Sequence, residues 1–342
     1  MVIYDRVIKL VQKTGGASIL FDEISSRMRR DKIPHVELCF AESDRLRQNS
    51  VFQKNRLFER YRDVVFPSSM KFGPNDIFHS TCYRIPATPS CKVITTVHDF
   101  TYEKVIRGVP ARIHSWQKNK AIFSSDHIIC VSHNTKKDFL DYFPKFDEEK
   151  ISVVHNGVSS KFHFSKDAII KPYVLFVGQR ARYKNFTSLV AAMVEVKDFE
   201  LACVGGGAFT KKEINMLDSF IPGRYRHFGY VSESELNTIY SEAFCFVYPS
   251  YYEGFGIPIL ESMKSGCPVV ALNSSSIPEV ADDAAILLDS GQPGDIANAI
   301  KTLLNSSVRA DYVTRGLSRS DNFSWEKCYS ETLQVYRRIW LS

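Results

Sequence analysis

The stretch "YPSYYEGFGIPILESMKSGCPVVA", residues 248–271, carries two carboxylates, Glu253 and Glu261, and two glycines flanking a phenylalanine, all inside a largely apolar run. A segment that only fills a core needs none of these. Gly weakens a helix start, and a carboxylate among apolar residues costs free energy unless it finds a partner. The stretch reads in three parts. "FCFVYPS" (244–250) is a buried strand ending at Pro249, "SYYEGFG" is a loop, and a helix begins near Ile257–Pro258, where Pro is tolerated in the first turn. Gly254 and Gly256 let the backbone approach a ligand closely. The helix start adds N–H groups and a partial positive charge, a combination that suits an anion.

Strand, loop and helix recur on both sides of this stretch. Upstream, "HVELCF" (35–40), "NDIFHS" (75–80), "KVITTVHD" (92–99), "HIICVS" (127–132) and "ISVVHN" (151–156) form one series of expected strands. "YVLFVG" (173–178), "ELACVG" (200–205), "FCFVYPS" (244–250), "PVVAL" (268–272) and "AAILL" (284–288) form a second. Many are continuous apolar runs, as strands covered on both faces require. Helical patterns such as "NFTSLVAAMVEV" and "ESELNTIYSEA" lie between them. The alternation implies α/β architecture with parallel sheets and crossover helices. A polar break at 159–172, ending in Pro172, separates the series and reads as an interdomain linker. Two doubly wound sheets would then face each other, with ligands at the carboxyl ends of the strands and the cleft as the default site.

The chain has 342 residues, 44% hydrophobic and 24% charged, the balance of a soluble globular protein with room for two cores. No apolar run reaches the roughly 18 residues of a spanning helix, and Asp5, Arg6 and Lys9 break the apolar N-terminus that a signal peptide would need. The eight cysteines form no C-x-x-C pair, and several fall in strands. They read as buried free thiols in a reducing, cytoplasmic setting. Charge is uneven. Residues 1–120 hold 21 Lys+Arg and 12 Asp+Glu, a net of +9, and subtraction from the totals of 44 and 38 leaves 23 and 26, a net of −3, for the rest. The excess sits in "RMRRDK" and "RLRQNSVFQKNRLFERYR". Such a face is either merely solvated or drawn to an anionic surface such as the inner leaflet of a membrane. No nucleic-acid-binding motif accompanies it.

Glu253 and Glu261 could be the acid and base of a glycosidase, but the spacing opposes this. Eight residues of helix span about 12 Å, whereas retaining glycosidases hold their carboxyls roughly 5 Å apart and inverting ones less than about 10 Å apart. Carboxylates farther apart suit hydroxyls at the two ends of an extended ligand, with a diphosphate between them beside the glycines.

"EGFGIPILE", an E-x7-E pattern, resembles the signature of the family 4 retaining glycosyltransferases of GT-B fold. "FVGQRARYKNFTSLVAAM" is similar to that family's strand, basic loop and helix, and residues 227–289 resemble its second-domain core almost throughout. "TGGASIL", "TTVHD", "CVSHNTKKDF" and "VVHNGV" resemble its first-domain landmarks. The resemblance implies an acceptor-binding Rossmann-like domain over 1–160, a nucleotide-sugar-binding one over 170–320, and a terminal helix over 322–342 crossing back to the first domain. It implies that Glu253 and the backbone of Gly254, Phe255 and Gly256 contact the donor sugar and its phosphate, and that Glu261 binds the ribose. Arg180 (or Arg182) and Lys184 would hold the diphosphate, Gly15 and Gly16 would admit it to the first domain, His98 would sit by the sugar, and the backbone near Tyr230 would meet the base.

The expected reaction is transfer of a hexose with retention, mannose from GDP-mannose in the first instance, to a glycan or lipid-linked oligosaccharide of a surface polysaccharide. A glucosyl- or galactosyltransferase using a UDP-sugar is the alternative, and a catalytically silent nucleotide-binding scaffold the alternative of another class. A nicotinamide dehydrogenase lacks support, because no G-x-G-x-x-G follows the first strand. No Asp-x-Asp stands where a metal would be needed, so no cofactor or metal is expected beyond the nucleotide-sugar co-substrate. Some motifs carry plainer readings. Gly205–Gly207 reads as a strand-to-helix turn, Asp99 as a cap or a support for His98, Ser132 as a helix cap, and Asn156–Gly157 as a turn. Apolar residues at helical spacing over 323–340, from Trp325 through Cys328, Tyr329, Leu333 and Tyr336 to Ile339, read as a buried stripe.

Overall fold

The structure is a computed structural model that describes residues 1–12, 15–40, 49–55, 57–68, 70 and 72–341. Thr14 of "TGGASIL", and Arg45, Arg47 and Arg56 of the basic stretch, lie outside the described residues. The chain divides into two compact units, Met1–Gly157 with Trp325–Ser342, and Val158–Ser324.

The first unit is a seven-stranded sheet of β1 (Val2–Asp5), β2 (His35–Cys39), β3 (Ser50–Phe52), β4 (Ile77–Ser80), β5 (Lys92–Val97), β6 (His127–Cys130) and β7 (Ile151–Val153). The order is β3-β2-β1-β4-β5-β6-β7, and neighbouring strands pair in parallel throughout. Chain order reverses between β1 and β4, the place where doubly wound sheets bind ligands. β1, fully buried, was not among the expected strands, nor was β3. The terminal helix Trp325–Leu341 packs on the helix Gly16–Arg30 and buries Trp325, Cys328, Tyr329, Thr332, Val335, Tyr336 and Ile339, with Leu333 half-buried. Tyr336 ties this helix to the sheet. Its hydroxyl lies 2.7 Å from that of Tyr4 and 2.6 Å from His79 Nδ1, while His79 Nε2 meets Thr96 Oγ1 at 2.8 Å. Each member of this buried chain has a partner, which is what makes the polar core tolerable.

The second unit is a six-stranded parallel sheet of β8 (Lys171–Val177), β9 (Glu200–Val204), β10 (Tyr225–His227), β11 (Ala243–Tyr248), β12 (Val269–Leu272) and β13 (Ile286–Leu288), in the order β10-β9-β8-β11-β12-β13. The reversal here falls between β8 and β11. Val174, Phe176, Leu189, Val190, Leu201, Val247, Ile296 and Ile300 form its core, all essentially without exposure. Two helices start with complete capping boxes, Thr210 with Glu213 and Ser232 with Glu235. Residues 159–172, read as a linker, belong to this unit, with Lys171 and Pro172 opening β8: Phe162 is buried beside the Tyr240 ring, and His163 N–H donates to Asn237 Oδ1 at 2.9 Å. All eight cysteines are free thiols, and all but the half-buried Cys91 are buried. Among the described residues no helix is long and apolar enough to cross a membrane.

Candidate active site

In the second unit, the reversal point brings together the loops that leave two neighbouring strands. After β8 the chain runs through Gly178 and Arg180 into a 3-10 turn at Arg182–Lys184, then into the helix Phe186–Ala192. After β11 it runs through Pro249 and the EGFG loop into the helix Ile257–Lys264. The loops are tied by Tyr251 N–H, which donates to Tyr183 O at 2.9 Å. Lys184 Nζ reaches Glu253 Oε1 at 2.5 Å and Tyr248 OH at 3.4 Å, with Lys184 15% and Glu253 12% exposed. A pair so enclosed is screened far less than a surface pair.

The EGFG loop is held from below by consecutive serines between β12 and the helix Ile277–Ala281. Ser275 Oγ accepts from Glu253 N–H at 2.9 Å, and Ser276 Oγ donates to Glu253 O and Phe255 O at 3.0 and 2.8 Å. Ser274 Oγ donates to Ser250 O at 3.0 Å. Gly256, at φ +118°, turns the loop into the helix, a conformation that a side chain would strain. Among the described residues no side chain caps the first turn of Ile257–Lys264, and no acidic residue lies in it, so its positive end is not neutralised from within.

Glu261 points back toward the helix Glu233–Glu242, where Tyr240 OH donates to its Oε2 at 3.3 Å. Burial raises its carboxyl from the ordinary value to about 7; the Tyr240 hydrogen bond opposes the shift and Glu233 adds to it. A carboxyl whose native pKa exceeds its unfolded one contributes no penalty below about pH 4.5 and destabilises progressively as pH rises to about 7. Glu261→Gln is therefore expected to raise the Tm of the ligand-free protein at pH 8 and to leave it unchanged near pH 4.5; thermal scans at the two pH values check this.

Arg180 is engaged elsewhere. It is 3% exposed, its Nε donates to Glu213 Oε1 at 2.8 Å, and its Nη atoms donate to the carbonyls of Gly205, Gly207 and Ala208 at 3.1, 2.9 and 3.0 Å. It braces the Gly205–Gly207 turn, whose three residues all have φ between +72° and +76°. Its guanidinium is spent on this turn and on Glu213. Arg182 is exposed, with no side-chain partner among the described residues. Tyr230 is 75% exposed and follows Gly229, whose carbonyl accepts from Gly205 N–H at 2.8 Å.

In the first unit, Gly15 is the N-cap of Gly16–Arg30, whose first turn has neither side-chain cap nor acidic residue among the described residues. It follows β1 after the short helix Ile8–Val11. His98 follows β5. Its Nε2 is shielded from solvent and has no hydrogen-bond partner among the described residues. Burial lowers its pKa to about 4, Asp99 raises it and Lys118 lowers it, so the ring is neutral at physiological pH. Asp99 Oδ1 accepts from Thr101 N–H at 2.9 Å, the cap reading, and its carbonyl accepts from the buried Lys118 Nζ at 2.8 Å.

The structure thus joins Lys184 to Glu253 and sets Gly254, Phe255, Gly256 and Glu261 along the same loop and helix. In the other unit His98 directly follows β5, and Gly15 and Gly16 open the helix Gly16–Arg30. Sequence reading missed the clamp made by Ser274, Ser275 and Ser276. Three hydroxyls in "NSSSIP", directly after a strand, were the available signal, but nothing in the string shows that their partners lie more than twenty residues upstream.

Comparison with known proteins follows the division into units. Residues 14–162 match the family described as Glycosyltransferase Family 4, and residues 160–317 match Glycosyl transferases group 1. O-antigen chain mannosyltransferase B of Escherichia coli is 30% identical over 264 residues, 73% of this chain and 61% of that enzyme, so the chain spans about three fifths of that relative. Sucrose-phosphate synthase from Thermosynechococcus elongatus superposes with a TM-score of 0.80 at 18% identity, covering 99% of both chains. Anabaena HepE, solved with UDP and glucose, superposes with a TM-score of 0.72 at 15% identity, covering 97% of this chain and 98% of that one.

Proposed function

We propose, since the chain belongs to the family 4 glycosyltransferases of GT-B fold, that it transfers mannose from GDP-mannose, with retention, to a glycan or lipid-linked oligosaccharide at the inner face of a membrane. The observation that carries the reading is the Lys184–Glu253 pair at the β8/β11 reversal point, beside an uncapped helix start. A donor sugar diphosphate offers each member of the pair a substitute partner: phosphate oxygens for Lys184, sugar hydroxyls for Glu253. Glu261 takes the ribose, His98 the donor sugar through its unpartnered nitrogen, Gly15 and Gly16 the diphosphate from the first unit, and the backbone at Tyr230 the base. Arg182 suits the diphosphate better than Arg180, which is occupied.

In the proposed step the bond from the sugar anomeric carbon to the diphosphate oxygen breaks, and the acceptor hydroxyl bonds to that carbon on the same face. The hydroxyl proton passes to the departing phosphate oxygen. Negative charge grows on the diphosphate as the bond breaks. The groups of this chain aimed at that charge are Lys184 and the helix start, without a divalent ion in the reading.

Mannose draws support from the E. coli mannosyltransferase relative. A UDP-sugar is the second reading, favoured by HepE, which binds UDP. Thermal shift separates them: GDP and GDP-mannose are expected to raise Tm more than UDP and UDP-glucose at equal concentration, because only a bound ligand stabilises the native state. A larger shift with UDP would move the assignment to the second reading. Nucleotide affinity is also expected to strengthen as pH rises through about 7, as Glu261 ionises to accept the ribose hydroxyls, and to lose this dependence in Glu261→Gln.

A further inference from the structure

The helix Val109–Phe123 is amphipathic the wrong way round. Its buried face carries His114, Gln117 and Lys118 beside Ala111, Ala121 and Ile122. Its outward stripe carries Val109, Ile113, Trp116 and Phe123, exposed by 65%, 43%, 59% and 73%. These positions recur at four, three and seven residues, one line along a helix. On the polar side, Lys118 Nζ donates to Asp99 O and to Glu103 Oε2 at 2.8 and 2.7 Å, and its ammonium lies 4.4 Å from the Phe100 ring centre. An apolar stripe that is not needed to cover this core is thus left facing out.

A second apolar feature lies alongside it. Gln117 Nε2 donates to Arg60 O at 2.6 Å, and Lys120 Nζ pairs with Asp63 at 2.7 Å, so the segment around 60–63 runs beside the helix. Leu57, Phe58 and Val65 on this segment are exposed by 77%, 68% and 68%. The turn is anchored from beneath, since buried Glu59 pairs with Arg84 at 2.7 Å and Arg62 Nε donates to Leu57 O at 3.2 Å. Phe58 has φ +58°, a conformation that a bulky residue adopts only when its surroundings impose it. The acidic residues of the region, Glu59, Asp63 and Glu103, are all paired to cations, whereas Arg107 and Arg112 are exposed with no ion-pair partner among the described residues.

We propose that the outward stripe of Val109–Phe123, with the Leu57–Phe58 turn, is the face by which this protein docks on an anionic lipid bilayer. Trp116, Phe123, Phe58 and Leu57 enter the headgroup boundary, and Arg107 and Arg112 meet lipid phosphates. A bilayer, and not a second copy of the chain, is the partner because the two exposed arginines at the start of the stripe, Arg107 and Arg112, have no ion-pair partner among the described residues and share one sign. Two copies would set those cations against each other. Lys118, on the opposite side of the same helix, grips the carbonyl next to His98, so the docking face and His98 share one rigid support. Docking deepens the proposed membrane-face function and rests on it only for the choice of a bilayer. It is measured without donor or acceptor, so it fails or holds separately from transfer.

The test is flotation of the full chain with vesicles of phosphatidylglycerol and phosphatidylethanolamine, against vesicles of phosphatidylcholine alone. The native protein is expected to float with the anionic vesicles, less as salt rises, and Trp116→Ser with Phe58→Ser is expected to reduce partition about tenfold at unchanged Tm. A measurement on the native chain guards against a variant that fails to fold. Acyl-brominated lipids are expected to quench the exposed Trp116 fluorescence, leaving the emission of Trp325, which is 3% exposed, and of the half-buried Trp340. Absence of flotation and quenching, or flotation unchanged in the double variant, would overturn the proposal. So would a lipid-free dimer abolished by the same substitutions, which would assign the face to a second copy.

Discussion

Glu253→Gln is expected to lower sugar transfer by about 10³-fold while leaving the fold and its Tm nearly intact. The loop around it is fixed by backbone and serine contacts: Ser275 to Glu253 N–H, and Ser276 to the carbonyls of residues 253 and 255. None of these uses the carboxylate, and Gln is nearly isosteric. What changes is charge. Gln replaces the carboxylate by a neutral amide whose carbonyl still accepts from Lys184, so the contact at 2.5 Å loses its charge but keeps a hydrogen bond, and one sugar hydroxyl loses its charged acceptor. Initial rates with donor and acceptor, read beside a melting curve, check this. Equal activity would leave the chain a nucleotide-binding scaffold that kept the fold without the chemistry.

Lys184→Ala is expected to lower kcat by about 10²–10³-fold, the usual cost of losing one group aimed at charge that develops in the transition state. It should also cost stability, unlike Glu253→Gln. Removing the ammonium leaves Glu253, only 12% exposed, without its cation, and an enclosed charge stripped of its partner is worse than no charge at all. The double variant Lys184→Ala with Glu253→Gln should therefore recover part of the lost Tm without recovering rate. Lys184→Arg keeps the charge but not the compact point geometry in contact with Tyr248, and an intermediate rate is expected. A full Tm recovery accompanied by native activity in the double variant would show that the pair is structural only.

The second sheet was largely legible because its strands are continuous apolar runs between glycine and proline punctuation. β10, "YRH", escaped because it is a half-buried edge strand of polar residues, where packing rather than composition decides pairing. β1 escaped for another reason. Val2–Asp5 is only four residues, ends in a charge, and is followed at once by Arg6. Its central place depends on β2 and β4 closing over it, and on Arg84 lying 3.3 Å from the buried Asp5. Of the site, Lys184 and Glu253 were visible as residue types at the right points of the alternation. The task of Arg180 was not, because an arginine that braces three carbonyls has the same letter as one that binds phosphate. Nor does composition alone reveal the inverted helix Val109–Phe123, since its apolar residues are those of an ordinary core helix and only the fold shows which side faces out.

The most direct measurement is titration calorimetry of GDP, and in parallel UDP, against the native protein and Lys184→Ala, with the matching nucleoside as reference. The central claim is that a nucleoside diphosphate lies at the β8/β11 reversal point with Lys184 on its phosphates. The expected result is that Lys184→Ala weakens the preferred diphosphate about tenfold or more and leaves the nucleoside unchanged. Equal diphosphate affinity in the two proteins would contradict the claim.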